Sequence, residues 1–250
     1  MQNKELRYYC IGDFVIEYDG PKFKEREYLA KFRVVERKPD VSYKVLVCPE
    51  TEMSLNVKDT CDGVNHTVWM SELQASKMHS RLVLNLFNIP YQIIAHDAMF
   101  LHASYIIWKE KAILFTAPKQ VGKTTQAKLW EKYAGAKVVN GDRALLRKKD
   151  NLWMVHGSPY CGTSKICENI SAPLGAIVIL SQALQNRIER AKTTDAVIAF
   201  MDGVSFRVAD KAQVEKVADM VNDIIKNIPI YKLECTPTES SVKLLEEMLW

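Results

Sequence analysis

Several features that would place this chain in an obvious class are absent from its sequence. No stretch of its 250 residues approaches the ~18 consecutive apolar residues that a membrane-spanning helix needs, so we expect no membrane partner. The opening segment, Met1 to Arg7, is mostly polar and does not resemble a signal peptide. Internal repeats and low-complexity tracts are also missing. We therefore expect a cytoplasmic globular protein.

Cysteine is present but never at metal-binding spacing. The six cysteines are Cys10, Cys48, Cys61, Cys161, Cys167 and Cys235. No two of them form a Cys-x-x-Cys pair, so the usual cysteine-based metal sites are excluded. We interpret all six as free thiols in a reducing cytoplasm.

A strong excess of charge of one sign is lacking as well. The formal net charge of +4 suits an anionic ligand but falls short of the concentrated basic face that nucleic-acid binding needs. We therefore expect no nucleic-acid partner. A hydrophobic content of 48% and a charged content of 26% are typical of a soluble globular protein of one large or two small domains.

The most informative motif spans residues 112 to 130. These residues read as a buried strand, a short turn and a helix that opens with Gly122, Lys123 and Thr124. This is the layout of a phosphate-binding loop, in which backbone amides at a helix start face an anion, a lysine reaches the outer phosphates and a hydroxyl binds Mg²⁺. The residues predicted to surround the phosphates are Ala117, Pro118, Lys119, Gln120, Val121, Gly122, Lys123, Thr124 and Thr125.

Glycine is scarce within this motif. Ala117 stands where the usual pattern has its first glycine, and Gln120 stands where related loops often have another. A non-glycine residue in a left-handed conformation costs roughly 1–2 kcal/mol, and Pro118 has no N–H to donate. We expect a phosphate site with a changed loop shape and weaker nucleotide affinity.

An ordinary strand, turn and helix with a solvated Lys123 would carry the same Gly122–Thr125 tetrapeptide. The residues that follow favour the phosphate site, because a second short strand, Lys137–Val139, leads directly into Asp142. A carboxylate at the tip of the strand after such a helix is where a second Mg²⁺ ligand or a base would lie. For the neighbouring Arg143, a phosphate contact and a salt bridge both remain open.

The first ninety residues read as β-rich, in an antiparallel meander or small sheet without catalytic groupings. The predicted strands are Tyr8–Ile11, Phe14–Tyr18, Leu29–Val35, Ser42–Cys48 and, after a tight turn at Asp62-Gly63, Thr67–Met70. We predict a helix from Ser76 to Asn88, ended by Pro90.

The later residues alternate strands and helices. The predicted strands are Met99–Ile107, Ala112–Thr116, Lys137–Val139, Ala144–Leu146, Leu152–Val155, Ala176–Leu180 and Pro229–Glu234. Beside the helix of the phosphate motif, one helix opens at a capping box, Asp210 to Gln213, and a last one follows Pro237 and runs to Trp250. The small-residue loop Gly157–Ser164 is a candidate lining for an acceptor pocket.

These residues together resemble a known family. The run His102-Ala103-Ser104, the phosphate motif, Lys128-Leu129-Trp130, Gly135-Ala136 and Gly141-Asp142-Arg143 resemble the kinase domain of bacterial HPr serine kinase and its shorter relatives. The Gly122–Thr125 tetrapeptide is also similar to the nucleotide site of ATP-dependent phosphoenolpyruvate carboxykinases. The resemblance covers roughly residues 95–235 and is strongest over 102–143.

The resemblance implies an α/β fold with a mixed-sheet P-loop kinase core over residues 91–250 and a β-rich N-terminal region over residues 1–90. It implies ATP and Mg²⁺ as cofactors, with Lys123 on the phosphates, Thr124 and Asp142 on the metal, and Asp142, His102 and Lys123 as the catalytic set. One departure concerns Gly141, because HPr kinases have a pair of aspartates where this chain has Gly141-Asp142. Without the resemblance, a lone histidine in an apolar run such as the one around His102 is usually a core residue.

Two functions follow as hypotheses. The first is an ATP-dependent kinase that transfers a phosphoryl group to a hydroxyl on a serine of a small protein or peptide, or on a small molecule. The second is a nucleotide- or peptide-binding module whose altered loop and single aspartate no longer support chemistry. A homo-oligomer is compatible with either hypothesis.

Overall fold

The computed structural model describes residues 4–49 and 58–250. Within the chain, residues form two compact units, Met1–Ile89 and Pro90–Trp250. The sequence predicts no signal peptide at Met1 to Arg7. The first three residues of this segment lie outside the described residues. Among the described residues, none of the helices has the length and apolar content needed to span a bilayer.

The first unit is built on a six-stranded sheet. Its elements are β1 (Lys4–Ile11), β2 (Phe14–Pro21), α1 (Glu27–Ala30), β3 (Arg33–Val34), β4 (Val41–Cys48), β5 (Lys58–Asp62), β6 (Asn65–Ser71), α2 (Glu72–Ser76) and α3 (Ser80–Phe87). The strand order is β3-β1-β2-β4-β6-β5. A two-residue turn at Gly12 and Asp13, both with positive φ (61° and 62°), joins β1 to β2 as the twist of a hairpin requires.

The predicted antiparallel meander is wrong, because β4 runs parallel to both β2 and β6. Parallel neighbours need a crossover connection, and the residues between β2 and β4 provide one with α1 and β3. The predicted strand Leu29–Val35 is wrong over its first part, because only Arg33–Val34 forms a strand and Leu29 lies in α1. Leu29 and Phe32 are both fully buried, and their spacing of three residues suits one face of a helical turn rather than a strand.

The predicted helix from Ser76 to Asn88 is two helices. Ser76 ends α2, and α3 begins at Ser80. The N-terminus of α2 carries a capping box in which the Ser71 hydroxyl accepts from the Gln74 amide and the Gln74 side chain accepts from the Ser71 amide. Asn88 closes α3 in a left-handed conformation (φ 47°).

The second unit combines nine strands with helices. Its elements are α4 (Ile89–Gln92), a 3₁₀ turn (Ile93–His96), β7 (Ala98–Leu101), β8 (Ala103–Trp108), β9 (Lys111–Thr116), α5 (Lys123–Ala134), β10 (Lys137–Asn140), β11 (Ala144–Lys149), β12 (Leu152–His156), β13 (Ser171–Gln182), β14 (Arg187–Arg190), α6 (Thr193–Gly203), α7 (Lys211–Asn227), β15 (Ile230–Cys235) and α8 (Glu239–Glu246). Both units therefore contain mixed sheets, and the fold is mixed α/β.

Seven of the nine strands form one continuous path through the long strand β13, and the other two branch from it. The order is β10-β8-β9-β13-β12-β11-β7, with β15 also on β13 and β14 on β15. The first residues of β13 pair antiparallel with β12, and its later residues pair parallel with β9 and β15. The predicted central strand Ala176–Leu180 is thus confirmed and lies in this parallel section.

Helices cover both faces of the parallel section. Along β9, Ile113 and Phe115 belong to one core cluster, whereas Ala112 and Leu114 belong to the other, as the two-residue period of a strand requires. The first cluster includes Trp130 of α5 and Leu245 of α8. The second includes residues of α6 and α7, namely Ala196, Phe200, Val217, Met220, Val221 and Ile224.

Several predicted elements of this unit need correction. The predicted strand Met99–Ile107 is two strands interrupted at His102, because β7 pairs with β11 whereas β8 pairs with β9 and β10. The last helix ends at Glu246 rather than Trp250. Only half of the predicted capping box forms, since Asp210 caps α7 but the Gln213 side chain accepts from the Arg207 amide. Strand β14 and helix α6 were not predicted.

The core of the second unit gives a first test. We expect Leu114→Ala, which empties a fully buried site in β9, to lower the free energy of unfolding by about 2–5 kcal/mol. The matched control is Leu152→Ala, since Leu152 is 50% exposed and should lose no more than about 0.5 kcal/mol. Denaturant titration followed by circular dichroism measures both. Equal losses in the two variants would contradict this account of the core.

Candidate active site

Strand directions bring the predicted site residues to one edge of the sheet. Strands β9, β13 and β15 are parallel to one another. Strand β8 is antiparallel to β9 and β10 is antiparallel to β8, so β10 points the same way as β9. The carboxyl ends of β9, β10, β13 and β15 therefore lie at the edge where β8 begins. His102, the loop 117–125 and Asp142 meet there, although they are far apart in the sequence.

The loop between β9 and α5 takes its shape at two residues with positive φ. Gly122 has a φ of 115° and Gln120 a φ of 67°, so a glutamine adopts the conformation for which glycine is better suited. The side-chain amide of Gln182, at the end of β13, donates to the carbonyls of Gln120 and Val121 at 3.4 Å each. The side chain of Val121 packs against the core cluster around Trp130, which accounts for an apolar residue in this loop.

Helix α5 begins at the loop without a side-chain cap. Its first internal hydrogen bond runs from the Gln126 amide to the Gly122 carbonyl at 2.8 Å. The N-cap residue is Gly122, which has no side chain that could accept from the first amides of the helix, those of Lys123, Thr124 and Thr125. Uncapped amides at the positive end of a helix dipole are suited to an anion.

Lys123 lies inside the loop rather than in solvent. Its side chain is only 7% exposed, and its Nζ donates to the carbonyls of Ala117 at 2.9 Å and Pro118 at 3.1 Å. Burial lowers the pKa of Lys123, and the negative charge of Asp142 acts in the opposite direction. The position excludes the interpretation of Lys123 as a solvated surface residue.

Asn140 shapes the acidic turn that follows β10. This fully buried side chain accepts through Oδ1 from the amides of Asp142 at 2.8 Å and Arg143 at 2.9 Å. Its Nδ2 donates to the Ser158 carbonyl at 2.8 Å, so its orientation is fixed from the other side. Sequence reasoning missed this residue. The available signal was the tendency of asparagine to accept from backbone amides two and three residues later.

The carbonyl of Gly141 joins three elements of the site. It accepts from the Ser104 hydroxyl of β8 at 3.2 Å and from the Thr124 hydroxyl of α5 at 3.0 Å. Thr124 donates its only hydroxyl proton in this contact, so the lone pairs of its oxygen remain available to a cation. The contact also holds α5 beside the turn that carries Asp142.

Asp142 stands between two basic side chains. Its Oδ1 is 3.4 Å from Nε2 of His102, and its Oδ2 is 3.9 Å from Nε of Arg143. The hydrogen bond from His102 is the largest influence that lowers the pKa of Asp142, and partial burial opposes it. The carboxylate is therefore ionised at neutral pH and is a weak base. Arg143 also donates through Nη1 to the Ser205 hydroxyl at 2.7 Å.

The loop Gly157–Ser164 packs directly on the acidic turn. A Cβ atom at Gly141 would lie 2.2 Å from the Ser164 hydroxyl oxygen and 2.6 Å from the Ser164 Cβ. A Cβ at Gly162, whose φ is +54°, would lie 2.7 Å from the carboxyl carbon of Asp142. The space that a second aspartate would need at position 141 is thus filled by the loop.

The residues at this edge fit a polyphosphate with Mg²⁺. The three amides of α5 and the Lys123 ammonium match phosphate oxygens, and the Thr124 hydroxyl and Asp142 carboxylate are hard oxygen ligands. Within residues 4–49 and 58–250, no group of three or more histidine, cysteine, aspartate or glutamate side chains could hold a metal ion. Magnesium does not need one, because it binds through one or two carboxylates together with substrate phosphates.

Comparison with known proteins adds one distant likeness. No family model and no curated protein matches the chain. One solved structure that is similar is that of the Hpr(Ser) kinase/phosphatase from Coxiella burnetii, with 12% identity, a TM-score of 0.27, and coverage of 51% of this chain and 91% of that chain. A likeness of this size does not assign an activity, so the chemistry depends on the side chains at the carboxyl edge.

The packing of Gly141 can be tested by a double-mutant cycle. We expect Gly141→Ala to lower the free energy of unfolding by about 1–3 kcal/mol, because its methyl group would overlap Ser164. The same change should cost measurably less in a Ser164→Gly background, where the overlapping atoms are gone. Denaturant unfolding of the four proteins gives the coupling. An identical cost in both backgrounds would show that Ser164 does not fill this space.

A second test concerns the contact of His102 with Asp142. In His102→Asn, we expect the pKa of Asp142 to rise toward its ordinary value, because the largest influence that lowers it is removed. Carbon-detected NMR titration of the carboxyl group measures the change. A pKa below the unfolded value stabilises the fold at pH above that value, and this stability is lost as the pH falls through the folded pKa. The variant should therefore lose less stability on acidification.

The control for this titration is His96→Asn, which replaces an exposed histidine that makes no ion pair with Asp142. The pKa of Asp142 should be the same in this variant as in the unmodified protein. If the pKa of Asp142 is unchanged in His102→Asn, the 3.4 Å contact between His102 and Asp142 does not lower that pKa.

Proposed function

We propose that this protein is an ATP-dependent phosphotransferase that acts on a hydroxyl group, on a serine of a small protein or peptide or on a small molecule. The observation that supports this is the meeting of Lys123, Thr124 and Asp142 beside the uncapped amides of α5. Two chain segments supply an anion site and an opposing carboxylate. Phosphoryl transfer needs this combination, because its catalysis consists of positioning and charge neutralisation.

Each residue has a role that follows from its position. ATP with Mg²⁺ would supply the transferable group and a cation that offsets its charge. The α5 amides and Lys123 would bind phosphate oxygens, and the partial desolvation of Lys123 strengthens that attraction. The lone pairs of Thr124 and the carboxylate of Asp142 would hold the cation.

The environment of Asp142 favours one of its two predicted roles. A carboxylate whose pKa is lowered by His102 is a poor proton acceptor but a good cation ligand. We therefore assign metal binding to Asp142 and the orientation of its carboxylate to His102, at 3.4 Å. Phosphoryl transfer through a loose transition state does not require a strong base.

A second candidate is a module that binds a nucleotide or peptide without catalysis. The packing of Ser164 on Gly141 favours it, because this packing excludes a second carboxylate from the acidic turn. Binding and turnover must therefore be measured separately.

The proposal is tested by Lys123→Met, which keeps the apolar stem of the buried side chain and removes the ammonium. We expect ATP·Mg²⁺ to bind about 10- to 100-fold more weakly, since a hydrogen bond to a charged group contributes roughly 1.5–3 kcal/mol. The matched control is Lys128→Ala, which removes an exposed lysine from the same helix and should leave binding unchanged. Calorimetric titration measures affinity, and ADP release in the presence of serine-containing peptides measures turnover.

The two measurements separate the candidates. Turnover that depends on Lys123 supports the phosphotransferase. Lys123-dependent binding without turnover on any acceptor supports the binding module. A chain that does not bind ATP·Mg²⁺ would exclude the nucleotide site, and equally tight binding by both lysine variants would exclude Lys123 from that site.

A further inference from the structure

A second group of reactive side chains lies on the sheet of the first unit. His66 of β6 is the register partner of Tyr43 on β4 and of Cys61 on β5. Side chains of paired residues project from the same face, and Asp59 shares that face because it precedes Cys61 by two residues. The sheet therefore places Asp59, Cys61 and His66 together at its β5 edge.

The three side chains form a hydrogen-bonded chain. The Cys61 sulfur is 3.4 Å from Nε2 of His66, and Nδ1 of His66 is 3.1 Å and 3.2 Å from the two carboxylate oxygens of Asp59. The imidazole also stacks on the buried ring of Tyr43, with centroids 4.6 Å apart and an interplanar angle of 15°. Only 12% of the His66 side chain is exposed, whereas Cys61 is exposed.

We propose that Cys61 is a reactive thiol that is oxidised by small neutral hydroperoxides, with His66 as its proton carrier and Asp59 as the residue that positions His66. A carboxylate on Nδ1 keeps the proton on that nitrogen, so the lone pair of Nε2 faces the sulfur at 3.4 Å and accepts the thiol proton. Stacking on Tyr43 holds the ring in the plane in which both contacts are made.

The reaction conserves atoms and electrons. The sulfur attacks the outer oxygen of hydrogen peroxide, an S–O bond forms and the O–O bond breaks. The thiol proton passes to Nε2 of His66 and then to the departing hydroxide, which leaves as water. Sulfur is oxidised to the sulfenic acid, and the peroxide is reduced to water.

The surroundings of Cys61 favour this chemistry over two others. The Cys61 thiol donates to the Gly63 carbonyl at 3.0 Å, and an acceptor in that place cannot stabilise the oxyanion that acyl transfer would create. A single metal ion cannot use both partners of His66, because Cys61 and Asp59 contact opposite ring nitrogens. A small neutral oxidant needs neither an oxyanion site nor a metal.

The charges near Cys61 explain why a proton carrier is needed. Partial desolvation first, and then the carboxylates of Asp59 and Asp62, raise the pKa of the Cys61 thiol. The thiol is therefore largely protonated at neutral pH, whereas the thiolate is the nucleophile. The same negative charges disfavour anionic oxidants.

Two aspartate variants distinguish proton transfer through His66 from a purely electrostatic effect of nearby charges on the Cys61 thiol. Asp59→Asn and Asp62→Asn each remove one negative charge near the sulfur, and Asp59→Asn also removes a carboxylate that contacts Nδ1 of His66. If charge alone governs the thiol, both variants should be oxidised faster. We expect Asp59→Asn to be oxidised roughly tenfold more slowly, because His66 loses its orientation, and Asp62→Asn to be oxidised at least as fast as the unmodified protein.

The rate is followed by trapping the sulfenic acid with a dimedone reagent under limiting hydrogen peroxide and a metal chelator, with peptide mass spectrometry. The half-buried thiols Cys10, Cys48 and Cys235 serve as internal references, and Cys61→Ser identifies the signal. His66→Gln should slow Cys61 on the order of 10²-fold, the lower end of what a positioned base supplies. Circular dichroism confirms that each variant is folded.

The outcomes are decisive in both directions. Fast oxidation of Cys61 that depends on His66 and Asp59 but not on Asp62 supports the proposal. Oxidation of Cys61 at the rate of the reference thiols, or equal acceleration in both aspartate variants, overturns it. The exposed position of Asp59 and Asp62 keeps the comparison informative even if His66→Gln does not fold.

Discussion

The carbonyl oxygen of Gly141 is the point on which the geometry of the carboxyl edge depends. It accepts hydroxyl protons from Ser104 and from Thr124, so one acceptor aligns β8, the start of α5 and the acidic turn. Asn140 then fixes the direction in which Asp142 leaves the turn. With these contacts in place, the ammonium of Lys123, the hydroxyl of Thr124 and the carboxylate of Asp142 lie at the same edge of the sheet.

Local features of the phosphate motif could be predicted from the sequence. The strand before it, the helix after it and the strand that leads to Asp142 are consecutive, and their periodicity is clear. Features that depend on non-local pairing could not be predicted. The break at His102 arises because β7 pairs with β11 whereas β8 pairs with β9. The apolar run from Met99 to Ile107 does not indicate this difference in pairing.

The same limit explains what was missed around the candidate site. The hydrogen bond that Asn140 donates to Ser158 and the filling of space by Ser164 involve segments about twenty residues apart, so hydropathy patterns do not reveal them. In the first unit, Cys61 lies beside His66 because of the register of β5 and β6. The spacing of the cysteines in the sequence did not predict this contact. Helix α6 was missed because its exposed face is also apolar, with Val197, Ile198 and Met201 in contact with solvent, which obscures the amphipathic period.

The close contact between Gly141 and Ser164 also constrains how this chain can diverge. A lineage that acquired an acidic side chain at position 141 would first pass through a change that makes position 164 smaller or moves its loop. The reverse order would produce an intermediate with overlapping atoms beside Asp142. We therefore expect substitutions at these two positions to occur in a fixed order during evolution, with the change at position 164 first. A single van der Waals contact imposes this order.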